Sequence, residues 1–289
     1  MMGSLIDTDL HRAETIHSQR VVDAFFRATS RYWKDVYEED SLDALIYRER
    51  QSAVLALVDT LGLPERSHVL EVGCGAGLTA VALAKRGYTV DAIDTVEAML
   101  GLTRQTAIDA GVETLVKTTL SSVFEMSFPS QHFDLAVAVG VVPWLKRPEK
   151  ALLEMDRVVK SGGFVILTAD NNGCLNQMLD PLCFPWLRPL RWKIGDTLER
   201  LNLRTASRPR LHRHSIRQID ELLSQAGFHK LEGKTLGFGP FTFFKRKLIP
   251  DAIGIRLHQR LQALADRQFP GIRSTGTEYI VMAGKPQTA

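Results

Sequence analysis

The feature that most constrains the fold is an apolar stretch that enters a glycine-rich turn, Val69-Leu70-Glu71-Val72-Gly73-Cys74-Gly75-Ala76-Gly77. The apolar and β-branched residues predict a buried strand, and apolar residues at helical spacing over Leu78–Arg86 predict a helix after the turn. Glycines there permit positive φ and a close approach of the backbone to a ligand. Because ligands of open α/β sheets bind beyond the carboxyl ends of the strands, this turn predicts a site for a nucleotide-like cofactor.

Strands and helices alternate through residues 67–170, which predicts an α/β fold with an open parallel sheet. The predicted strands are Val69–Val72, Thr89–Ile93, Thr114–Thr118, Phe133–Val139 and Gly163–Ala169. The predicted helices are Leu78–Arg86, Val96–Ala110 and Pro148–Val159, and the segment Lys160-Ser161-Gly162-Gly163 predicts a helix stop and a turn. Further along, a helix at Ile216–Ala226 and strands at Phe228–Thr235 and Glu278–Ala283 are expected.

The spacing of the glycines selects among nucleotide cofactors. A dinucleotide fingerprint needs glycine at position 78, which is Leu78 here, and the third glycine comes one residue early at Gly77. Glu71 would repel a pyrophosphate, whereas its carboxylate suits the ammonium and sulfonium groups of S-adenosylmethionine. Asp94, at the end of the next predicted strand, is placed to accept hydrogen bonds from ribose hydroxyls. The residues therefore favour S-adenosylmethionine.

With the strand start Phe133-Asp134-Leu135 and the segment 153–163, these residues resemble the class I S-adenosylmethionine-dependent methyltransferases, in particular their small-molecule, quinone-biosynthesis-like branch. The resemblance covers residues 67–170 and extends to the strands expected at 228–235 and 278–283. It implies a Rossmann-like seven-stranded sheet with helices on both faces and the last strand antiparallel.

The resemblance also implies which residues hold the cofactor. It places the methionine end at Glu71 and the glycine turn, the ribose at Asp94, and the adenine near Ser122, which stands where the family usually has an aspartate. Tyr32 and Arg48 would lie near the methionine carboxylate; an amphipathic helix with solvated charges is the alternative for that segment. The predicted cofactor-binding residues are Tyr32, Arg48, Glu71, Gly73, Gly75, Gly77, Asp94, Thr95, Met99, Ser122, Val123 and Gly140.

Methyl transfer needs positioning and exclusion of water, and in some cases a base, so the sequence carries no obligatory catalytic motif. Asp170 and Asn171 follow the fifth predicted strand, beside the expected methyl group, and could orient a substrate; Asx turns are the alternative. His212 and His214 could each act as a general base, with surface positions as the alternative. These four residues are the predicted catalytic candidates.

The charge distribution divides the chain. Residues 1–170 carry 17 Lys and Arg against 24 Asp and Glu, whereas residues 171–289 carry 19 against 9. Nine of these cations lie between Trp186 and Arg217, and the run Phe238–Phe244 is followed by Lys245-Arg246-Lys247. Aromatics beside cations suit a hydrophobic substrate or peripheral contact with an anionic membrane. No nucleic-acid contact is expected, because no RNA-binding module accompanies the charge.

We predict a cytoplasmic protein without a metal site. The sequence has three cysteines and no C-x-x-C motif, its N-terminus does not resemble a signal peptide, and no apolar run is long enough to span a membrane. Peripheral membrane association stays open. The predicted units are an N-terminal helical cap (1–60), the cofactor-binding core (61–170), a basic insertion (171–214), a core helix and strand (215–235), a second insertion (236–277) and the last strand (278–289). The two insertions are expected to form a lid.

Together these features predict a methyltransferase that acts on oxygen or carbon of a small, hydrophobic, lipid-like or isoprenoid-like acceptor. Oxygen or carbon is favoured because Gly140-Val141-Val142-Pro143 stands where amino-group methyltransferases carry Asn/Asp-Pro-Pro-Tyr/Phe. Two alternatives stay open: a nicotinamide-dependent oxidoreductase, and a non-catalytic protein that binds S-adenosylmethionine.

Overall fold

Seven strands form one sheet in the order β3-β2-β1-β4-β5-β9-β6. Strands β3, β2, β1, β4 and β5 pair in parallel, and β9 is antiparallel to both β5 and β6. This is the predicted Rossmann-like α/β sheet with an antiparallel last strand. The strands are β1 (His68–Val72), β2 (Thr89–Asp94), β3 (Val116–Leu120), β4 (Phe133–Ala138), β5 (Val159–Asp170), β6 (His229–Leu236) and β9 (Glu278–Gly284), and a separate hairpin consists of β7 (Thr242–Phe243) and β8 (Arg246–Lys247).

The structure, a computed structural model, describes residues 2–184 and 209–287 together with positions 187, 190, 193, 194 and 197; for residues 2–18 it describes the backbone alone. Most of the basic segment after Trp186 therefore lies outside the described residues. The helices are α1 (Met2–Asp35), α2 (Leu42–Thr60), α3 (Leu78–Ala84), α4 (Glu97–Asp109), α5 (Pro148–Val158), α6 (Leu175–Leu179), α7 (Ile216–Gln225) and α8 (Asp251–Asp266). No helix in these ranges combines the length and the apolarity needed to cross a membrane.

Helices cover both faces of the sheet, as predicted, because the parallel strands are apolar on both sides. On one face, Leu135 of β4 packs with Val54 of α2 and Leu83 of α3. On the other face, Phe133 packs with Met155 of α5. All these side chains are buried, so the sheet is the common wall of two cores.

The strand order reverses between β1 and β4, and this reversal positions the site. Strand β1 pairs with β2 on one side and with β4 on the other, so the connections from their carboxyl ends leave in opposite directions. A crevice opens at such a switch point. Gly73, after β1, and Gly140, after β4, both lie there.

The connection from β3 to β4 contains no helix, although helices follow β1 and β2. The segment 121–132 is held instead by Arg157 of α5. Its Nη1 donates to the carbonyl of Phe128 (2.8 Å), and its Nη2 donates to the carbonyl of Met126 (2.9 Å). Glu154 accepts from the amide of Met126 (2.8 Å) and pairs with Arg157. One ion pair thus satisfies backbone groups that a crossover helix would satisfy internally.

The predicted turn at 160–163 is wrong. Helix α5 ends at Val158 and β5 begins at Val159, which pairs at once with Phe133. The register then shifts before Phe164, and Gly162 takes a φ of 78° within the strand. The glycine therefore serves a bulge rather than a turn between elements.

Candidate functional site

The three glycines after β1 all have positive φ, at 65°, 54° and 81° for Gly73, Gly75 and Gly77, but their surroundings differ. A Cβ on Gly73 would lie 2.5 Å from Cγ2 of Val141, and one on Gly77 would lie 2.8 Å from Cα of Thr103 in α4. A Cβ on Gly75 would meet nothing within 4 Å. Gly73 and Gly77 therefore permit close packing, whereas Gly75 exposes its backbone to a cavity.

Glu71 places a carboxylate beside this turn. The residue is 3% exposed, and its Oε2 has no hydrogen-bond partner. Burial raises the pKa of Glu71 to about 8, although the amide of Ala80, in the first turn of α3, opposes the shift. A buried carboxylate without a cation is costly, and a ligand ammonium would supply the missing charge.

Asp94, at the end of β2, ties the turn to the neighbouring strand. Its Oδ2 accepts from the amide of Gly75 (3.1 Å), and its Oδ1 accepts from the amide of Val96 (2.9 Å). Burial raises the pKa of its carboxyl group, and these amide donors oppose the rise. The carboxylate lines the same cavity as Glu71, as the ribose assignment requires.

Most of the other predicted cofactor residues also line this cavity, namely Tyr32, Gly73, Gly75, Thr95, Met99, Ser122, Val123 and Gly140. The hydroxyl of Thr95 donates to Asp23 of α1 (2.7 Å), so this end of the cavity is closed by the N-terminal helix. Ser122 Oγ accepts from the amide of Phe124 (3.3 Å). Gly77 does not line the cavity, and its role is the packing against α4 described above.

The structure does not place Arg48 at the cavity. Its Nη1 donates to the carbonyls of Tyr37 (2.6 Å) and Glu39 (3.0 Å), and the residue does not line the cavity. Arg50, which is 8% exposed, lines it instead and lies 3.4 Å from where a Cβ on Gly140 would be. Residues two positions apart on a helix face different directions, and the sequence alone did not reveal which arginine faces inward.

Arg50 belongs to a partly buried group of four charges, of which the sequence analysis named only Asp170. Its Nη1 pairs with Glu278 at the start of β9 (3.2 Å), and Glu278 lies opposite Asp170 of β5. Asp170 in turn pairs with Arg213 (3.4 Å). Burial raises the pKa of Asp170, and Arg213 and Arg50 oppose the rise. All four residues line the cavity, and the Nε of Arg50 has no partner in the described structure.

The other three catalytic candidates do not reach the cavity. The chain from Pro209 to His214 places Leu211 and Arg213 in the wall, whereas His212 and His214 are absent from it. Alternate side chains of an extended segment point to opposite sides, which explains this division. Burial, together with Lys146 and Arg210, lowers the pKa of His212. Its imidazole is therefore neutral at pH 7, but it faces away from the site.

Asn171, the remaining candidate, is buried in a structural role. Its Nδ2 donates to the carbonyls of Ser274 and Gly276 (2.9 Å each), and its Oδ1 accepts from the amide of Gly173 (2.9 Å). These bonds fasten the end of β5 to the segment before β9. Of the predicted catalytic residues, only Asp170 faces the cavity.

Aromatic side chains form the wall opposite the sheet. Trp144, after β4, packs against Phe25 (5.8 Å) and Phe26 (5.1 Å) of α1, where the distances join ring centroids. Trp33 packs on Phe26 (5.6 Å) and on Tyr47 of α2 (5.9 Å). The cavity between this wall and the sheet has a volume of about 1040 Å³. Its cofactor side is polar and its far side is aromatic.

Comparison with known proteins agrees with this geometry. Residues 70–167 match the methyltransferase domain family. Over 99 residues the chain is 34% identical to a phosphatidylethanolamine N-methyltransferase of Cereibacter sphaeroides, covering 34% of this chain and 48% of that protein. Over 103 residues it is 31% identical to a ubiquinone biosynthesis O-methyltransferase of Pseudomonas entomophila, covering 36% and 44%. The chain thus spans about half the length of the curated relatives that it matches.

Solved structures share the fold at low sequence identity. A magnesium protoporphyrin IX methyltransferase from Synechocystis PCC 6803 with SAH bound gives a TM-score of 0.61 at 16% identity, covering 93% of this chain and 99% of that chain. A [4+2]-cyclase gives a TM-score of 0.53 at 18% identity, covering 82% and 81%. Together with the family match over residues 70–167, these likenesses confirm the predicted fold class.

The contrast between Gly75 and Gly77 generates a matched pair of variants. Gly77→Ala forces a Cβ against the α4 backbone and should lower the melting temperature clearly. Gly75→Ala carries only the strain of positive φ, about 1 kcal/mol, but its methyl group points into the cavity. Thermal denaturation and calorimetric titration with S-adenosylhomocysteine should show that Gly75→Ala folds and binds weakly. Normal binding by that variant would remove the turn from the cofactor site.

Proposed function

We propose, from the class I S-adenosylmethionine-dependent methyltransferase domain that this chain carries, that the whole protein methylates oxygen or carbon of a small hydrophobic acceptor, lipid-like or isoprenoid-like. The observation that carries this proposal is the single cavity shared by the open backbone at Gly75, the unpaired carboxylate of Glu71 and the aromatic wall. Such a cavity has room for a cofactor and an acceptor side by side.

The residues present fit S-adenosylmethionine, whose sulfonium supplies an electrophilic methyl group. Glu71 offers an unpaired oxygen for the ammonium group, and Gly75 leaves room for close contact. Asp94 keeps its carboxylate at the cavity surface for the ribose. Arg50 lies beside Gly140, and its Nε has no partner in the described structure. Its guanidinium would pair with the methionine carboxylate.

Asp170 is the residue best placed to act on the acceptor. It is partly buried, it lines the cavity, and its raised pKa favours proton uptake. Arg213 limits that rise, so the pair can hold an acceptor hydroxyl and accept its proton. The aromatic wall excludes water and suits an apolar or aromatic ring system.

Two observations weigh on the alternatives. The glycine spacing, with Leu78 where a dinucleotide fingerprint needs its third glycine, disfavours a nicotinamide cofactor. The [4+2]-cyclase shares the fold, and a shared fold does not fix the reaction. Turnover therefore has to be measured directly, alongside cofactor binding.

The deciding experiment follows labelled methyl groups from S-adenosylmethionine into fractions of a bacterial lipid extract. We expect transfer to an apolar acceptor, at least about tenfold slower in Asp170→Asn with unchanged cofactor affinity, and unchanged in His212→Ala. Cofactor binding without transfer to any fraction would support the non-catalytic alternative. A labelled amino group in the product would overturn the oxygen or carbon assignment.

Peripheral contact with an anionic membrane is a second part of the proposal, supported by the hairpin β7–β8. Phe243 and Phe244 are 44% and 53% exposed at its turn, with ring centroids 4.7 Å apart. The turn is held by Asp180, whose Oδ2 accepts from the hydroxyl of Thr242 (2.6 Å) and the amide of Lys245 (2.9 Å). Because Thr242 also lines the cavity, the exposed rings lie near its mouth.

We predict that the protein binds anionic but not zwitterionic liposomes in a sedimentation assay. Salt should weaken the binding only in part, because it screens the cations over about 10 Å and leaves phenylalanine burial unaffected. Combining Phe243→Ser with Phe244→Ser should weaken it further, whereas Ile108→Ser, an exposed apolar residue on α4, should not. If the protein bound neither type of liposome and still transferred methyl groups, the hairpin would be part of the lid over the site and not a membrane contact.

A further inference from the structure

The edge of the sheet opposite the cofactor turn carries a cluster of side chains that the proposed function does not use. His68 is the first residue of β1, Asp91 lies in β2, and His132 immediately precedes β4. One nitrogen of each histidine and one carboxylate oxygen of Asp91 all lie within 4.8 Å of one another. Three separate segments of the chain therefore bring these groups together. No local sequence motif predicts the cluster.

Asp91 is the unusual member of this cluster. It is 8% exposed, and within residues 2–184 and 209–287 its carboxylate makes no hydrogen bond or ion pair. Another carboxylate near this edge of the sheet is paired, whereas that of Asp91 is not. Asp134, for example, binds both Lys160 (2.6 Å) and the backbone amide of His68 (2.9 Å). Asp91 alone is left facing two imidazoles.

The two imidazoles are held in place by neighbouring rings. His132 stacks on Phe128 with parallel planes, at 6.3 Å between centroids, and meets Phe133 edge-on at 4.8 Å. The rings of His68 and His132 are 5.4 Å apart and inclined by 67°. In the described structure, the ring nitrogens of His68 and His132 make no hydrogen bond. Each imidazole therefore has a nitrogen available to bind an ion.

We propose that His68, Asp91 and His132 form a binding site for one divalent transition-metal ion of the zinc class. Two imidazoles and one carboxylate are a donor set that such ions accept, with a fourth position left for water. With bonds of about 2.0–2.2 Å, tetrahedral donors lie about 3.4 Å apart, so a small closure of the side chains completes the site. His68 is exposed, which leaves a path for the ion.

The ion would join β1, β2 and the segment before β4 on the far side of the sheet from Glu71. Its expected effect is on stability rather than on methyl transfer. Binding to the folded state alone shifts unfolding by mass action. The site is independent of the proposed function, because none of its three residues lines the cofactor cavity.

The test uses the full chain without an affinity tag, stripped with EDTA, and Co²⁺ as the spectroscopic probe, followed by Zn²⁺ in calorimetry. We expect one equivalent of Co²⁺ to give visible absorption bands, displaced by Zn²⁺, and a higher melting temperature with Zn²⁺. His68→Ala, His132→Ala and Asp91→Asn should each weaken binding roughly tenfold or more. His229→Ala, an exposed histidine on β6, should not.

Each outcome decides the proposal. Binding that survives all three variants would place the ion at other residues and overturn the assignment. Absence of Co²⁺ bands and of a Zn²⁺ effect on melting would remove the site altogether. The melting temperature of each stripped variant is measured first, so that a folding defect in Asp91→Asn is separated from lost binding, and the two histidine variants then carry the test.

Discussion

The buried carboxyl group of Glu71, which has no cation beside it, is the constraint around which the site is arranged. It stays uncompensated because β1 ends beside a turn whose backbone is open at Gly75 and whose following helix offers a single amide. The sheet order fixes this position, since the reversal between β1 and β4 opens the crevice there. The geometry costs stability in the free protein and becomes favourable when a cation arrives.

A second group of charges lines the same cavity, and its members are paired with one another. Arg50, Glu278, Asp170 and Arg213 balance one another, so they hold the end of β5, the start of β9 and helix α2 together without a ligand. Residues far apart in sequence thus build a wall that Arg50 shares with the proposed cofactor site and Asp170 with the proposed acceptor site.

Local patterns were sufficient to predict the parallel strands and the glycine turn, because strand periodicity and turn chemistry depend on neighbouring residues. The predicted residues that the structure places away from the cavity differ in side-chain direction or in distant contacts. The sequence analysis named Arg48 where the structure has Arg50 at the cavity, and His212 and His214 where it has Arg213. Tertiary packing decides which side chains of a helix or an extended segment face the cavity. Asn171 was misjudged because its partners lie at 274 and 276.

The central claim, that a ligand cation pairs with Glu71, is tested most directly by counting protons during binding. Burial raises the pKa of Glu71 to about 8, so the free protein holds a proton there at pH 7. Pairing with an ammonium group favours the carboxylate, so that proton should be released. Calorimetric titration with S-adenosylhomocysteine in buffers of different ionisation enthalpy should show release of about one proton at pH 7, and little in Glu71→Gln. Equal proton release by both proteins, or none by either, would contradict this pairing.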